Sequence, residues 1–383
     1  MRTFLIHFLC WLAPWTGVAA SGQPPLLLQS PSLSQNQIAF TYAGSLWIVA
    51  RDGGEARRLV AAEPGWTAGP MFSPDGSKVA FTGNFDGNQD VYVVPAEGGE
   101  PRRLTTHPDT DVAVGWTPDG KRVLVKSARE AYSRFERLIT VSLEGGLPEA
   151  LPLPMGVQGA FSPDQRQLAY VPFWNRRGGA GDVGIALKNY RGGKTSPIWI
   201  AQLEDSSVVS IPRENSNDFN PLWIGDRIYF LSDRAGATTL FSYDVHSRAV
   251  AKLVKNDGFD IKSASAGPGA IVYEQFGALH LYDLANGETR EVKVRLNADL
   301  PQTRPHFAKV PEPQLGAVSL SPSGARAAFE ARGEIITVPA EKGDIRNLTR
   351  SPAGRGSRSV VVTRREDHRL FLRRIRRVRA PFA

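Results

Sequence analysis

Three features of this 383-residue sequence predict an all-β fold, a six-bladed β-propeller followed by an incomplete second propeller. A turn of the form aromatic-Ser/Thr-Pro-Asp-Gly recurs at a period of about 45 residues, within the range of one propeller blade. Each copy leads into short runs of alternating apolar residues, the period-2 signature of half-buried strands. Each set then closes with a Gly-rich turn and one more short run.

The elements follow in order. "FSPDGSKVAF" begins at Phe72, "WTPDGKRVLV" at Trp116, "FSPDQRQLAY" at Phe161 and "LSPSGARAAF" at Leu320. The second runs are "DVYVVP" from Asp90, "RLITVSL" from Arg137, "PIWIAQL" from Pro197 and "EIITVP" from Glu334; "AEGGE" (96–100) and "PRRLT" (101–105) exemplify the closing turn and third run. More divergent units cover 30–60, 222–254 and 266–294, so six units lie between about residue 30 and residue 298. Within the turn, proline fixes φ at the first corner and Asp75-Gly76 supplies the tight polar end. The aromatic before it is placed to pack on a neighbouring blade. A blade cannot cover its own faces, so each needs the next, and a closed ring needs no caps. The motif therefore reads as structural punctuation rather than as chemistry.

The remaining segments are irregular. Phe4 to Val18 is an apolar run after Arg2, closed by the small residues Val18-Ala19-Ala20, as in a cleaved secretory signal over 1–20. This predicts a periplasmic or secreted protein. The single cysteine, Cys10, lies in that segment, leaving the mature chain without disulfides. No later run approaches the roughly 18 apolar residues of a membrane span. The fourth unit carries a Gly- and Arg-rich insertion, "WNRRGGAGDVGIALKNYRGGKT", in a position where propeller loops line a binding face. Residues 25–298 are read as the ring, 299–314 as a Pro-rich linker, 315–350 as the first blade of a second ring and 351–383 as an Arg-rich tail.

The formal net charge is +8, but ten arginines lie between Arg355 and Arg379; outside that tail and Arg2, 35 basic side chains face 36 acidic ones. A near-neutral body does not fit a surface that tracks nucleic-acid phosphates. The sequence lacks HExxH, CxxC and GxSxG, the usual signatures of zinc and hydrolase chemistry. No metal or cofactor is expected. "NFDGNQD" (84–90) alternates oxygen ligands but lacks the distal glutamate of a calcium loop, and reads as a hairpin.

Taken together, the "SPDG" turns, "LSDRAG" (231–236) and "EGGEPRRLT" (97–105) resemble the propellers of the tricorn protease family and, more loosely, of periplasmic TolB. The order of six blades, connector and fresh blade is similar to the tricorn order. The resemblance implies a propeller that admits, holds or releases peptides or unfolded protein segments. In that family the serine peptidase machinery and a PDZ domain lie beyond both propellers, and the full-length protein is expected to form homo-oligomers. No catalytic residue carries over, so this chain alone is not expected to hydrolyse peptides. The family's propeller arginines, implied to anchor a peptide carboxylate, direct attention to Arg129, Arg134 and Arg137 in "SAREAYSRFERL" (127–138), whose guanidinium forks suit a carboxylate. A TolB-like propeller binding envelope proteins is the alternative, and a nonfunctional truncated product a third.

The tail carries one more signal. Leu59 precedes Phe72 by 13 residues, so the unit containing Leu348 predicts an aromatic and "SPDG" near residue 361, where "SVVVTRREDHRLFLRRIRRVRA" stands instead. Read one base out of frame from the Val360 codon, permissible codons encode "SWSPDGKTIAYFSDASGEYAL". The expectation is a one-base frameshift; a gene sequence encoding no further blades in the other frame would refute it.

Overall fold

A computed structural model describes residues 26–61, 65–129, 135–173, 195–300, 315–331, 334–349, 361–362 and 371–372. The expected signal segment, nearly all of the blade 4 insertion, Arg134, the linker beyond residue 300 and almost all of the Arg-rich tail lie outside the described residues. Among the described residues every regular element is a β-strand. The chain divides into two units, Met1–Leu300 and Pro301–Ala383.

The first unit is the six-bladed propeller. Blade 1 holds β1 (Gln29–Leu33), β2 (Gln37–Tyr42), β3 (Ser45–Ala50) and β4 (Gly54–Val60); blade 2 holds β5 (Trp66–Phe72), β6 (Lys78–Asn84), β7 (Asp90–Pro95) and β8 (Arg102–Arg103). Blade 3 follows with β9 (Asp111–Trp116), β10 (Arg122–Ser127), β11 (Arg137–Ser142) and β12 (Glu149–Ala150). Blade 4 comprises β13 (Gln158–Phe161), β14 (Gln167–Val171), β15 (Trp199–Gln202) and β16 (Val208–Ser210). β17 (Asp218–Ile224), β18 (Arg227–Ser232), β19 (Thr239–Asp244) and β20 (Val250–Lys252) form blade 5. Blade 6 contains β21 (Ile261–Gly267), β22 (Ala270–Gln275), β23 (Ala278–Asp283) and β24 (Thr289–Val292).

Six apolar clusters each join two consecutive blades. Phe72, Val79 and Phe81 of blade 2 pack on Ala39, Leu46 and Ile48 of blade 1. Phe161, Leu168 and Tyr170 of blade 4 pack on Leu124 and Leu138 of blade 3. Two of the three expected aromatic anchors, Phe72 and Phe161, are therefore buried between blades, and the third, Trp116, packs half-buried against the cluster shared by blades 2 and 3. Burying one such side chain is worth about 1.5–3 kcal/mol, so the second and third strands of each blade, covered on both sides, read as nearly unbroken apolar runs. The sixth cluster closes the ring: Leu33, Phe40 and Trp47 of blade 1 meet Val272, Leu279 and Leu281 of blade 6.

No blade is shared between the two ends of the ring. Instead β25 (Val294–Leu296) adds in parallel to the outer edge of blade 1, pairing Val294 with Gly54 and Leu296 with Ala56. Leu300 is buried in the same seam as Leu26 and Leu28, so the first unit runs two residues beyond residue 298, because Leu300 belongs to its core.

The innermost strands are knitted side to side through local kinks. Ser30, Gly69 and Asn220 adopt positive φ (49°, 57° and 55°), each next to a break in strand register. Each is followed by a proline, Pro31, Pro70 or Pro221, which lacks the N–H that a regular ladder would require. The Asn220 side chain donates to the Ala264 carbonyl and accepts from the Ala264 amide, while its own amide donates to Gln158 Oε1. One residue thus links blades 4, 5 and 6.

Among the described residues the second unit contains one blade, β26 (Leu315–Leu320), β27 (Arg326–Ala331), β28 (Glu334–Pro339) and β29 (Arg346–Asn347), and a short pairing of β30 (Val361–Val362) with β31 (Phe371–Leu372).

Candidate functional site

Antiparallel strands give the ring two ends with different chemistry. One carries the Ser/Thr-Pro-Asp turns and the Gly-rich turns between third and fourth strands. The other, the crossover end, carries the blade-to-blade connections and the loops between second and third strands.

The turn end is built from self-satisfied polar loops. The Ser73 hydroxyl donates to the Asp75 carboxylate and accepts from the Lys78 amide; the Ser77 amide and hydroxyl also donate to Asp75. Together these bonds, the Ser73 hydroxyl foremost, hold the Asp75 carboxyl at about 2 against an ordinary 3.8. Thr117–Asp119 and Ser162–Asp164 repeat the arrangement. Two clefts at this end are lined by Gln37, Glu55 and Arg57, and by Arg51, Asp283 and Arg290. Arg290 is already paired with Asp52 at 2.6 Å.

The three arginines singled out in the sequence belong to the crossover end of blade 3, and they separate there. Strand pairing places Asp111, Ser127 and Arg137 in one row across β9, β10 and β11. Asp111 is fully buried, and the Arg129 guanidinium is bonded to it and to the Ser127 hydroxyl. Blade 5 repeats this clasp: Arg234 Nη2 lies 2.8 Å from Asp218 and its Nε bonds Ser232. There the guanidinium also stands 5.0 Å and 5.3 Å from the ring centroids of Phe230 and Phe241. Arg129 is thus held by a buried internal carboxylate. Arg137 differs: its Nε is buried with no hydrogen-bond partner, as is Asp111 Oδ1 in the same row. Arg134 lies outside the described residues.

A second set of residues at this end was not visible in the sequence. The four most exposed large aromatic side chains among the described residues, Trp66, Phe135, Phe259 and Phe276, all lie at the crossover end. Phe259 and Phe276 stack at 4.1 Å between centroids with an interplanar angle of 11° while remaining 57% and 55% exposed. Their loop is fixed from beneath. Phe259 O accepts from both Asn256 Nδ2 and Gln275 Nε2, and the buried Asn256 also donates to Thr238 O. Gly277, at φ 75°, lies against the N-terminal segment; a Cβ there would stand 2.7 Å from Leu26 O and 3.0 Å from Leu27 Cα. Exposed Leu27 thereby extends the apolar patch from blade 6 onto blade 1. A rigid, exposed aromatic step of this kind suits apolar side chains presented by an extended chain.

The other candidates resolve into structure. In the 84–90 hairpin, Arg103 bonds both Asp86 and Asp90, and Asn88 donates to Asp90 and to the His107 carbonyl; its oxygens are engaged by protein donors. His280 stacks on Tyr273 at 5.1 Å, and burial lowers its pKa. Among the described residues no group of three or more His, Cys, Asp or Glu is placed to hold a metal ion, and no helix is long and apolar enough to cross a membrane.

Six sheets packed in sequence around inner strands, with Ser/Thr-Pro-Asp turns gathered at one end, define a six-bladed β-propeller of the SPDG-repeat class. The profile of the tricorn protease N-terminal beta propeller domain matches residues 25–288, and the chain belongs to that family. Tricorn protease homolog 1 of Streptomyces coelicolor is 31% identical over 338 residues, covering 86% of this chain and 30% of the relative. The crystal structure of the tricorn protease superposes with a TM-score of 0.64 at 21% identity, over 86% of this chain and 32% of that one. TolB from Acinetobacter baumannii gives a TM-score of 0.44 at 15% identity, over 82% and 80%. The chain thus spans about a third of the length of its tricorn relatives.

Proposed function

We propose that this chain is the peptide-handling propeller of a tricorn-like peptidase, receiving extended polypeptide at its crossover end. The observation that carries the reading is the exposed Phe259–Phe276 stack, held by Asn256 and Gln275. Leu27 beside it and Trp66 on blade 2 widen the apolar surface. In this reading aromatic faces take apolar side chains of the peptide, and Arg137, whose side chain is only part-buried at this end, is proposed to receive a terminal carboxylate. Arg129 instead holds Asp111 and shapes the loop. Admission, holding and release need no bond-breaking group from these residues; in the relatives' terms the propeller serves proteolysis carried out elsewhere.

Fluorescence anisotropy with a labelled unstructured peptide rich in Leu and Phe, with a free or an amidated C-terminus, tests this. Replacing both Phe259 and Phe276 by Ala is expected to weaken binding about tenfold, as the loss of two stacking contacts requires. Arg137→Gln is expected to weaken the free-acid peptide selectively and leave the amidated one unchanged. Equal binding by the double variant and the unaltered protein would remove the proposal.

A further inference from the structure

The inner wall of the ring carries its exposed charge on one side chain. The six inner strands β1, β5, β9, β13, β17 and β21 hold three charged residues, Asp111, Asp218 and Lys262. Both aspartates are fully buried in their arginine clasps, whereas Lys262 is exposed. It is also unpaired. The lysines on either flank of blade 6, Lys255 and Lys293, lie 3.4 Å from Asp257 and 2.6 Å from Glu291, but Lys262 meets no carboxylate among the described residues.

The strand sets the direction of this side chain. β21 pairs Ile261 with Gln275 and Ser263 with Glu274, so Lys262 is the extra residue of a bulge and stands opposite nothing on β22. Ile261 and Ala264 are buried in the seam with blade 5. Towards blade 1, Glu274 Oε2 accepts from the Ser263 hydroxyl and from the Ser30 amide, both at 3.0 Å. With a seam on each side and β22 outside, the exposed Lys262 faces the axis, and the hydrogen bonds beside it hold the bulge in place. The aromatic step shares this mouth of the ring: Phe259 lies three residues before Lys262, and Phe276 follows Gln275, the partner of Ile261.

We infer that Lys262 gives the crossover-end mouth a preference for acidic peptides, its ammonium taking the carboxylate of an Asp or Glu side chain close in sequence to the apolar residue seated on Phe259 and Phe276. The terminal carboxylate falls to Arg137, so the ligand of Lys262 is an internal one. A cation with no counter-ion beside it, set in an otherwise uncharged wall, draws anionic groups to the mouth. Lysine is a point charge on a flexible stem rather than a fixed fork, so it selects charge and tolerates varied sequence. The preference presupposes the peptide-handling reading and adds a substrate class to it.

Anisotropy of the full chain with three labelled, C-terminally amidated Leu/Phe peptides, alike except for a Glu, Gln or Lys beside the Phe, is the test. The Glu peptide is expected to bind about threefold more tightly than the Gln peptide, the size of an exposed ion pair, and the Lys peptide more weakly than either. Added salt should shrink these differences by screening. Lys262→Gln should make the three peptides equal, and Lys262→Glu should reverse their order. Both variants should bind the Gln peptide as the unaltered protein does and melt at the same temperature, since the side chain is exposed. Lys121→Gln, which removes one exposed charge at the turn end, should leave the order intact. Equal binding of the three peptides by the unaltered protein, a Glu preference that survives Lys262→Gln, or its equal loss with Lys121→Gln would each overturn the inference, while binding of the Gln peptide would still uphold the peptide-handling reading. Failure of all three peptides to bind would remove both.

Discussion

Asp75 accepts three hydrogen bonds in a turn that the sequence repeats, and this makes the acid sensitivity of the ring a property of single residues. Its folded pKa of about 2 lies below the ordinary 3.8, and Asp119 and Asp164 are lowered by the matching Thr117 and Ser162 hydroxyls. A depressed carboxyl stabilises the fold fully above its unfolded pKa, and the contribution is lost as pH falls through the folded value. Urea melts should therefore show stability falling between about pH 4 and pH 2. The combined Asp→Asn changes at 75, 119 and 164 should flatten that fall and leave the slope near neutrality unaltered. The buried clasps make a different prediction. Replacing Arg234 or Arg129 by Met strands a fully buried aspartate and is expected to cost about 3–5 kcal/mol. Arg129→Met should be the more damaging, because Asp218 keeps the Ser216 and Ser232 hydroxyls while Asp111 Oδ1 has no partner. Thermal melts of both variants check the order. The turn was legible because its residues are contiguous. The clasp was not: Arg129 and Asp111 are 18 positions apart and meet only once β9 and β10 are in register. The recurring Ser-x-Arg at 127–129 and 232–234, each after an aspartate opening an inner strand, was the signal available.

At the scale of strands, "DVYVVP" and "EIITVP" were read with the boundaries that β7 and β28 show. The "PRRLT" run shortens to two paired residues, Arg102 and Arg103, because the outer strand has a neighbour on one edge only. The kinks of the inner strands escaped the periodicity, since one extra residue at Ser30, Gly69 or Asn220 breaks the alternation on which that reading depends. Close packing of these strands leaves little room. An added Cβ at Gly267 would stand 2.5 Å from Leu33 Cγ and 2.8 Å from its carbonyl oxygen, across the joint between blades 6 and 1. Gly267→Ala is expected to cost about 1–3 kcal/mol through overpacking. A lowered urea midpoint with unchanged cooperativity checks it.

For the first unit as a whole, the count of six blades was legible because each blade repeats the same punctuation. The crossover-end aromatics were not, because Phe259 and Phe276 belong to different turns, and only the pairing of Ile261 with Gln275 across β21 and β22 sets one beside the other. The way the ring closes carries a mechanical consequence. Its first and last core residues, Leu26 and Leu300, are packed into the same joint, and the final strand is attached through three residue pairs along the rim of blade 1. Tension applied to the two flanking segments would load that joint directly, while the five other seams are shielded behind it. A tether at either end therefore acts on a single latch, and rupture of the ring starts there.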